Sequence, residues 1–168
     1  MAKSKDKKKD KKQTGGKQII VQNKKVRHEY HIHEEYETGI MLSGSEVKSL
    51  RQGLCSIGES YAKDEGGEIY LLNLYIGEYN HVGPRFQHKT HRPRKLLLHK
   101  REINKIIGSI MKKGMTIVPL SLYFNPDGRV KVALGLATGK KLHDKRQDAK
   151  DRDWNRDKQR LLRGRGDI

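Results

Sequence analysis

The sequence predicts a mainly β protein in which a small closed or nearly closed barrel carries two or three short helices and a basic C-terminal tail. Three observations predict this class. Short strand-like runs recur with turn-forming residues between them, two stretches have helical periodicity, and the chain after Gly139 is basic and poor in large apolar residues. The 168 residues leave room for one core with extensions but not for two cores.

A strand and a helix are predicted at the start of the barrel. Apolar and polar residues alternate over residues 29–42, which is the pattern of a strand with one buried face. Ser43 and Glu46 have the spacing of a capping box, in which each side chain bonds the other residue's backbone N–H. A helix is therefore predicted for residues 44–52, and Gly53 is predicted to end it.

Two hairpins are predicted from their turn sequences. Residues 57–63 and 68–76 are strand-like and are joined by a segment with two adjacent glycines, which suits a tight turn. Residues 115–124 and 129–138 flank the turn sequence Asn-Pro-Asp-Gly. Pro119 lies inside the third of these runs and lacks a backbone N–H, so we expect it at a sheet edge or a bulge.

A second helix is predicted between the hairpins, because apolar residues recur there at i, i+3, i+4, i+7 and i+8. Glu102 follows His99 at capping-box spacing, although histidine is a weaker cap than serine or asparagine, and Gly114 suits a C-terminal cap. The apolar stripe consists of Ile103, Ile106, Ile107, Ile110 and Met111.

Charge divides the chain into three parts. The net charge of +17 is densest in residues 1–17, a predicted disordered arm, and in the tail, residues 139–168, whereas residues 18–138 form the predicted barrel. This balance favours a nucleic acid over a membrane as the partner, because the tail lacks a broad apolar face. The single cysteine, Cys55, excludes an internal disulfide, and no apolar run is long enough to span a membrane, so we expect a cytoplasmic protein.

The tail is expected to be unfolded when alone and to become ordered on a polyanion. Trp154 and Leu161 make an apolar stripe that is too thin to dock a helix on its own domain. Ion pairs along such a helix would add only a few tenths of a kcal/mol each. The predicted pairs are Asp148 with Arg152, Asp153 with Arg156, and Asp157 with Arg160.

Residues 79–101 are the strongest candidate for contact with a phosphate backbone. They include seven Lys or Arg residues and no acid, and Gly83, Pro84 and Pro93 interrupt regular structure. Arg and Lys neutralise phosphates and release counterions, although a merely solvated surface loop is the alternative. The basic residues are Arg85, Lys89, Arg92, Arg94, Lys95, Lys100 and Arg101.

No catalytic or metal site is expected. His31 and His33 would share one face of a strand, but two ligands do not make a site, and no helix-spaced metal motif is present. Cys55 has no identifiable base partner, and Ser43 and Ser45 are explained by helix capping. The residues alone therefore indicate an RNA-binding barrel with basic extensions and no cofactor.

Four motifs, in order, carry a family resemblance. They are Asn-Lys-Lys-Val-Arg-His-Glu-Tyr at 23–30, Gly-Ser-Glu-Val-Lys-Ser-Leu-Arg at 44–51, Arg-Lys-Leu-Leu-Leu at 94–98 and Gly-Lys-Lys-Leu-His-Asp-Lys-Arg at 139–146. In these motifs the chain resembles the bacterial SsrA-binding protein family, also called the small protein B (SmpB) family. Thr138 departs from the pattern because many relatives have a lysine there, so the affinity of the tail is expected to be somewhat lower.

The resemblance implies an antiparallel barrel of the oligonucleotide-binding (OB) type that binds the tRNA-like domain of transfer-messenger RNA (tmRNA). In that family the complex enters ribosomes stalled on broken messages, which is the process of trans-translation. Alanine-charged tmRNA then links the protein indirectly to elongation factor Tu. The tail is expected to be helical in the decoding centre and the empty mRNA channel, against small-subunit rRNA. A monomer without a membrane partner is expected.

The resemblance also implies which residues contact RNA. Asn23 and Glu37 can hydrogen-bond base edges or ribose hydroxyls, Tyr30 can stack, and Lys131 suits a phosphate. For Leu97 a core position is the alternative, because it would suit a leucine equally well. The full barrel set is Asn23, Tyr30, Glu37, Arg94, Lys95, Leu97 and Lys131, and the set in the basic loop is Arg85, Lys89 and Arg92.

In the tail, the resemblance implies that His143 stacks on a base of the decoding centre while basic residues supply charge along the channel. Trp154 and Leu161 would present the one apolar stripe. The tail candidates are Gly139, Lys140, Lys141, His143, Asp144, Lys145, Arg146, Lys150, Arg152, Trp154, Lys158, Arg160 and Leu161.

Two other functions are alternatives at this point. A constitutive ribosomal protein or an initiation-type factor with an OB barrel would have a similar basic tail, and it would sediment in stoichiometric amounts with ribosomal subunits. A phosphodiester-cleaving enzyme would need acidic metal ligands or a pair of histidines acting on RNA.

Overall fold

The computed structural model describes residues 16–163, apart from the side chains of Leu142, His143 and Arg163; residues 1–15 of the predicted arm and residues 164–168 lie outside it. Within that range the chain forms nine β-strands and four α-helices. The strands are β1 (Gln18–Gln22), β2 (Tyr30–Ile40), β3 (Cys55–Ser56), β4 (Tyr61–Glu65), β5 (Glu68–Leu72), β6 (Tyr75–Ile76), β7 (Arg94–Leu97), β8 (Thr116–Phe124) and β9 (Val130–Gly139). The helices are α1 (Val26–Glu29), α2 (Gly44–Arg51), α3 (Lys100–Lys113) and α4 (Leu142–Arg163).

Six strands form a ring of antiparallel pairings in the order β8, β4, β5, β7, β2 and β9, and the pairing of β9 with β8 closes it. The weakest link is between β4 and β8, which share the single pair Ala62 and Ile117. β1 adds to the second half of β8, and β3 with β6 makes a separate two-stranded sheet. The predicted closed or nearly closed barrel is confirmed.

Both helices predicted within the barrel are present, with their predicted ends. Ser43 N–H donates to the Glu46 carboxylate at 2.7 Å, so the capping box of α2 forms. The N–H of His99 likewise donates to Glu102 at 2.9 Å at the start of α3. Gly114 ends α3 with φ of +59°, a left-handed conformation that glycine adopts without a steric penalty.

The apolar stripe of α3 is shorter than predicted. Ile103 and Ile106 are buried, and Ile107 and Ile110 pack against the core. Met111 is 79% exposed, so its inclusion in the stripe is wrong. The buried face of α3 therefore ends before its last turn.

Both predicted hairpins are present, although the first is shorter than expected. Gly66 and Gly67 connect β4 to β5, and both have positive φ, as a two-residue hairpin turn requires. The pairing of β8 with β9 shifts register between Pro119 and Ser121, so Pro119 lies at a bulge as expected.

Four elements were not predicted: β1, the single turn α1, the β3–β6 sheet, and β7, which lies within the predicted loop of residues 79–101. β1 pairs with β8, about a hundred residues later in the sequence, and nothing in the five residues of β1 reports that pairing. α1 is only four residues long, but its Val26 is buried in a second small cluster with Val118, Leu120 and Ala137. These elements are defined by long-range packing rather than by local pattern.

The tail differs from the expectation that it is unfolded alone. α4 is one continuous helix whose N-terminal end is tied to the barrel: Lys140 N–H donates to the carbonyl of Glu29 at 2.9 Å, and Lys140 Nζ donates to the carbonyl of Arg27 at 3.0 Å. Residues 151–162 are exposed throughout, and this includes Trp154 and Leu161. The expectation that the apolar stripe does not dock on the domain is therefore confirmed.

Two of the three predicted ion pairs of the tail form. Asp153 and Arg156 are 3.3 Å apart, and Asp157 and Arg160 are 3.7 Å apart. The predicted side-chain pair between Asp148 and Arg152 is wrong, because the Asp148 carboxylate pairs with Lys140 at 2.5 Å and Arg152 Nε donates to the carbonyl oxygen of Asp148 at 3.0 Å. None of the helices in residues 16–163 is both long and apolar enough to span a membrane.

Candidate nucleic-acid interface

A row of residues crosses four adjacent strands on one face of the barrel. Leu97 of β7 lies opposite Gly39 of β2, and Lys131 of β9 lies opposite the same glycine. Tyr123 of β8 lies opposite Lys131. Glu37 lies two residues before Gly39, so it points to the same face of β2. We call this surface the barrel patch; it consists of Lys17, Glu37, Leu97 and Lys131 together with Tyr123, which these neighbours leave only 4% exposed.

Glu37 is the charged centre of the barrel patch. Its Oε2 accepts hydrogen bonds from Lys17 Nζ at 2.7 Å and from the hydroxyl of Tyr123. These bonds hold the pKa of the Glu37 carboxyl below its ordinary value, and the charges of Lys17 and Lys131 lower it further. An ionised carboxylate on an RNA-binding surface accepts hydrogen bonds from amino groups or ribose 2′-hydroxyls, which agrees with the type of contact predicted for Glu37.

The structure excludes the core position for Leu97. Leu97 is 52% exposed, whereas its neighbour Leu96 is buried. A Cβ atom on Gly39 would lie 3.2 Å from the Cβ of Leu97, so the missing side chain of Gly39 gives Leu97 the space that it occupies. Leu97 thus offers an apolar contact between the charged groups of the barrel patch.

Sequence reasoning missed Lys17 and Tyr123. Lys17 was assigned to the N-terminal arm, but it forms a strand bridge just before β1, and its Nζ lies 4.8 Å from the centroid of the Tyr123 ring. The alternation of β8 could have placed Tyr123 on the face opposite Leu122, but no local signal reports that Lys17 reaches it. The contact depends on the long-range pairing of β1 with β8.

Asn23 and Tyr30 lie away from the barrel patch. Tyr30 starts β2, at the end opposite Gly39, and packs against the small cluster around Val26. Asn23 is buried, and its Nδ2 donates to the carbonyl of Ile57 at 3.4 Å. The structure therefore gives Asn23 a part in tying the segment before α1 to the barrel and does not bring it to the barrel patch.

Arg94, a candidate for contact with RNA, lies in the interior of the protein. It is completely buried, and its Nε donates to Glu46 at 2.8 Å. Its terminal nitrogens donate to the carbonyls of Leu74, Arg92 and Thr90 at 2.6 Å, 3.1 Å and 3.1 Å. The candidate RNA contact of Arg94 is therefore not available in this conformation, because every guanidinium nitrogen is used inside the protein. Charge in the sequence does not distinguish a buried, paired arginine from an exposed one.

The other basic candidates near Arg94 differ in their exposure and in whether they pair with an acidic side chain. Arg92 pairs with Glu46 through Nε at 2.9 Å and through a terminal nitrogen at 2.5 Å, which leaves it half-buried. Lys95 pairs with Glu68 at 2.5 Å on the outer face. Arg85 and Lys89 are exposed. Of the basic loop, which we define as residues 77–93, these last two are best placed to meet phosphates.

Side-chain contacts with α2 hold the basic loop in place. Buried His88 lies with Nδ1 2.9 Å from the hydroxyl of Ser45 and Nε2 3.2 Å from the carbonyl of Ile76, to which it must donate. The ammonium of Lys48 lies 5.4 Å from the ring centroid of Tyr79. Together with the pair between Arg92 and Glu46, these contacts make the basic loop an ordered surface rather than a loose connection.

The tail begins at the barrel and then leaves it. Gly139 is the last residue of β9, and Lys140 is committed to Asp148 and to backbone carbonyls, so its charge faces the protein. Lys141 is exposed, and its N–H donates to the Asp144 carboxylate at 3.2 Å, which caps the first turn of α4. The side chain of His143 lies outside the described residues.

The rest of α4 presents its charges to solvent. Arg146, Lys150, Arg152, Lys158 and Arg160 are exposed, and Lys145 is half-buried. Residues four apart share a helix face, so Arg152 and Arg160 extend one basic row along the helix. This surface could neutralise an extended polyanion along several turns.

No metal or nucleophile site emerges from the described residues. Within residues 16–163, no group of three or more His, Cys, Asp or Glu side chains could hold a metal ion. Burial raises the pKa of the Cys55 thiol to about 11, which makes it a poor nucleophile at neutral pH.

A small antiparallel barrel with a polar outer patch, an ordered basic loop and a projecting basic helix defines the class of single-domain RNA-binding proteins. The family model described as SmpB protein matches residues 20–164, which covers barrel and tail together. The chain therefore belongs to the SmpB family.

Individual relatives agree with this assignment. The chain is 55% identical to the SsrA-binding protein of Rhizobium meliloti (strain 1021) over 150 residues, which cover 89% of this chain and 94% of the relative. It is 58% identical to the SsrA-binding protein of Rickettsia bellii (strain OSU 85-389) over 147 residues, which cover 88% and 97%. Among solved structures, a chain described under "tmRNA-SmpB: a journey to the center of the bacterial ribosome" is 50% identical, with a TM-score of 0.60 over 73% of this chain and 85% of that chain.

Proposed function

We propose that this protein is an adaptor that binds the tRNA-like domain of tmRNA and delivers it to stalled ribosomes for trans-translation. The observation that carries the proposal is the family match, because it runs through the barrel and the basic helix in one stretch. Similar proteins are named for binding SsrA, and a similar solved chain is described with tmRNA and the ribosome. Elongation factor Tu is then an indirect partner through alanyl-tmRNA.

We assign RNA binding on the barrel to the barrel patch and the basic loop. The Glu37 carboxylate accepts hydrogen bonds from base or ribose donors, Lys131 neutralises a phosphate, and Leu97 packs against an apolar base or sugar face. Arg85 and Lys89 supply phosphate contacts from the basic loop. In this assignment, Arg94 and Asn23 support the surface from inside the protein.

We assign ribosome binding to the tail. α4 presents exposed cations without an apolar face that would hold it on the barrel, so it suits a long, negatively charged channel such as an unoccupied mRNA path through rRNA. Gly139, Lys141, His143 and Asp144 begin the segment that enters the decoding centre. Lys145, Arg146, Lys150, Arg152, Trp154, Lys158, Arg160 and Leu161 follow along the channel.

We further propose that the protein acts in the cytoplasm as a monomer, without catalysis and without a cofactor. The raised pKa of the Cys55 thiol supports a non-catalytic role. The working division is a basic arm (residues 1–17), a barrel (residues 18–138) and a tail (residues 139–168). Lys17, the last residue of the arm, contacts the barrel through its hydrogen bond to Glu37.

Truncation after Gly139 tests this function. We expect the truncated protein to bind the tRNA-like domain of tmRNA nearly as tightly as the full chain, because the barrel patch and the basic loop are retained. Tagging of peptides on stalled ribosomes should be lost. A full-length variant with Lys150, Arg152, Lys158 and Arg160 changed to Gln is the matched control, because it keeps the tail but removes four of its 11 basic residues. Loss of RNA affinity on truncation would contradict the division of labour.

A constitutive ribosomal protein is the alternative function, and the family match does not favour it. The two functions differ in abundance on ribosomes. The proposed adaptor should be scarce on actively translating ribosomes, whereas a structural protein would sediment stoichiometrically with a subunit.

A further inference from the structure

Phe86 is a large apolar side chain that the fold leaves in solvent. It is 79% exposed, a value that only Met111 equals among the exposed large hydrophobic residues in the described part of the chain. A single exposed hydrophobic residue needs no explanation by itself. Phe86, however, lies in the middle of the basic loop, where hydrogen bonds of the neighbouring residues hold the backbone in a conformation that exposes the ring.

The backbone around Phe86 is fixed on both sides. Phe86 is the last residue of a 3-10 turn, Pro84–Phe86, and its N–H donates to the carbonyl of Gly83 at 3.0 Å. The next side chain, Gln87, bonds Tyr79 twice: the N–H of Tyr79 donates to Oε1, and Nε2 donates to the Tyr79 carbonyl, both at 3.1 Å. The ring therefore projects from a clamped turn, and little conformational freedom is left for its backbone to lose on binding.

A second anchor follows directly after Gln87. His88 is buried and is held between Ser45 and Ile76, so the loop cannot fold the Phe86 ring back into the core without breaking these contacts. The protein thus stabilises a conformation in which an aromatic ring faces water.

The charges beside Phe86 indicate the chemistry of its partner. Arg85 precedes it directly and Lys89 follows three residues later, and both are exposed. Residues 79–101 contain no acid, and the one acid of the basic loop, Glu78, lines the same cleft as Lys89. An exposed aromatic ring between cations is the arrangement with which proteins bind single-stranded nucleic acid, because each base has a π face for the ring and each linkage has a phosphate for the cations.

We propose that Phe86 is a base-stacking residue whose ring packs on an unpaired nucleobase of the bound RNA, while Arg85 and Lys89 neutralise the flanking phosphates. This inference rests on the proposed function, since it requires an RNA against the basic loop. The contact depends on the planar ring rather than on apolar character alone.

Affinity for the tRNA-like domain of tmRNA tests the proposal in the full-length protein. Phe86→Ala and Phe86→Leu should each weaken binding about 5- to 150-fold, the range that base stacking on an aromatic residue contributes. Phe86→Trp should retain the wild-type affinity. Met111→Ala is the matched control because Met111 is equally exposed but lies on α3, outside the basic loop, and it should not change binding. Thermal unfolding should be the same for all variants because neither residue is buried.

Salt dependence separates stacking from charge. Phe86→Ala should lower the affinity at every salt concentration without changing the slope of log K against log salt. Lys89→Ala should reduce the magnitude of that slope by about 0.7 to 0.9, the contribution of one phosphate contact.

Fluorescence gives an independent measurement. Trp154 is the only tryptophan of the chain, so Phe86→Trp in a Trp154→Phe background introduces one indole at the proposed contact. Stacking on a base should quench its emission when RNA is added, compared with Trp154→Phe alone.

Wild-type affinity of Phe86→Ala together with an unquenched indole would overturn this inference and leave the proposed function intact. Equal losses in the Ala, Leu and Trp variants would overturn stacking in favour of a shape-specific contact. Failure of the wild-type protein to bind tmRNA would overturn the proposed function and this inference with it.

Discussion

Glu46 connects three parts of the molecule through a fully buried carboxylate. It accepts hydrogen bonds from Arg92, Arg94 and the N–H of Ser43, so it joins the basic loop, the start of β7 and the cap of α2. The sequence predicted only the capping contact, because the spacing from Ser43 is local. The two arginines lie more than forty residues away, and no pattern in the sequence pairs them with Glu46.

Glu46→Gln should destabilise the fold strongly, because it leaves the buried cation of Arg94 without its counterion. Removing one partner of a buried pair costs about 3 to 5 kcal/mol of unfolding free energy. Urea denaturation followed by circular dichroism would measure the change. Glu68→Gln is the matched control, because it breaks a partly exposed pair with Lys95 and should change stability much less than Glu46→Gln does.

The pH dependence of the unfolding free energy shows whether loss of the Glu46 charge causes the destabilisation. Burial opposes ionisation of Glu46, but the hydrogen bonds from Arg92, Ser43 N–H and Arg94 outweigh it, so the pKa of the folded carboxyl lies below 4.5. A depressed folded pKa gives stability that is present above the unfolded pKa and is lost as pH falls through the folded pKa. The difference between wild type and Glu46→Gln should therefore shrink below about pH 4.5. A difference that stays constant down to pH 3 would point to altered packing instead.

At the scale of single elements, local chemistry accounts for what could be predicted. Capping residues and turn sequences gave α2, α3 and the β8–β9 hairpin, because each signal lies within a few residues of the element that it defines. β1 and the anchoring of α4 were missed because their partners lie far away in sequence. The same holds for the candidate RNA surface. Arg85 and Lys89 are exposed, as their basic surroundings in the sequence indicate, whereas Arg94 lies in the interior and its charge partner, Glu46, is distant in sequence.

The start of α4 is ordered by a few contacts with the barrel. Lys140 sits between Asp148 and the carbonyl of Arg27, with 9% of its side chain exposed. The hydrogen bond from Lys140 lowers the pKa of the Asp148 carboxyl. Residues 151–162 are exposed, and the ion pairs there, Asp153 with Arg156 and Asp157 with Arg160, add little stability.

Asp148→Asn should loosen α4 without affecting the barrel, because it removes the charge partner of Lys140. Hydrogen exchange should become faster in residues 142–155, while amides of β2 and β9 keep their protection. Asp153→Asn is the matched control: it breaks only an exposed pair with Arg156 and should leave exchange near the barrel unchanged. Slow exchange at the start of α4 in Asp148→Asn would contradict the anchoring role of the pair.

At the scale of the whole molecule, positive charge is spread over parts that meet different partners. The tail carries 11 basic and 6 acidic residues, and the arm and barrel carry the rest of the net +17. In our proposal only the barrel meets the tRNA-like domain, and the tail meets rRNA. The salt dependence of binding should therefore separate the two surfaces, because each neutralised phosphate adds its own contribution to the slope.

Truncation after Gly139 should leave the slope of log K against log salt unchanged for the isolated tRNA-like domain of tmRNA. For vacant ribosomes programmed with a short message, the same truncation should reduce the magnitude of the slope by several units, because α4 presents several exposed cations that would each neutralise a phosphate. Both slopes can be measured by filter binding between 50 and 200 mM salt, roughly the range over which such dependence is resolved. A variant with Lys112 and Lys113 changed to Gln controls for general loss of charge, since these residues end α3 outside the proposed surfaces. A reduced slope for the isolated RNA would mean that α4 lies along the tRNA-like domain rather than along the ribosome.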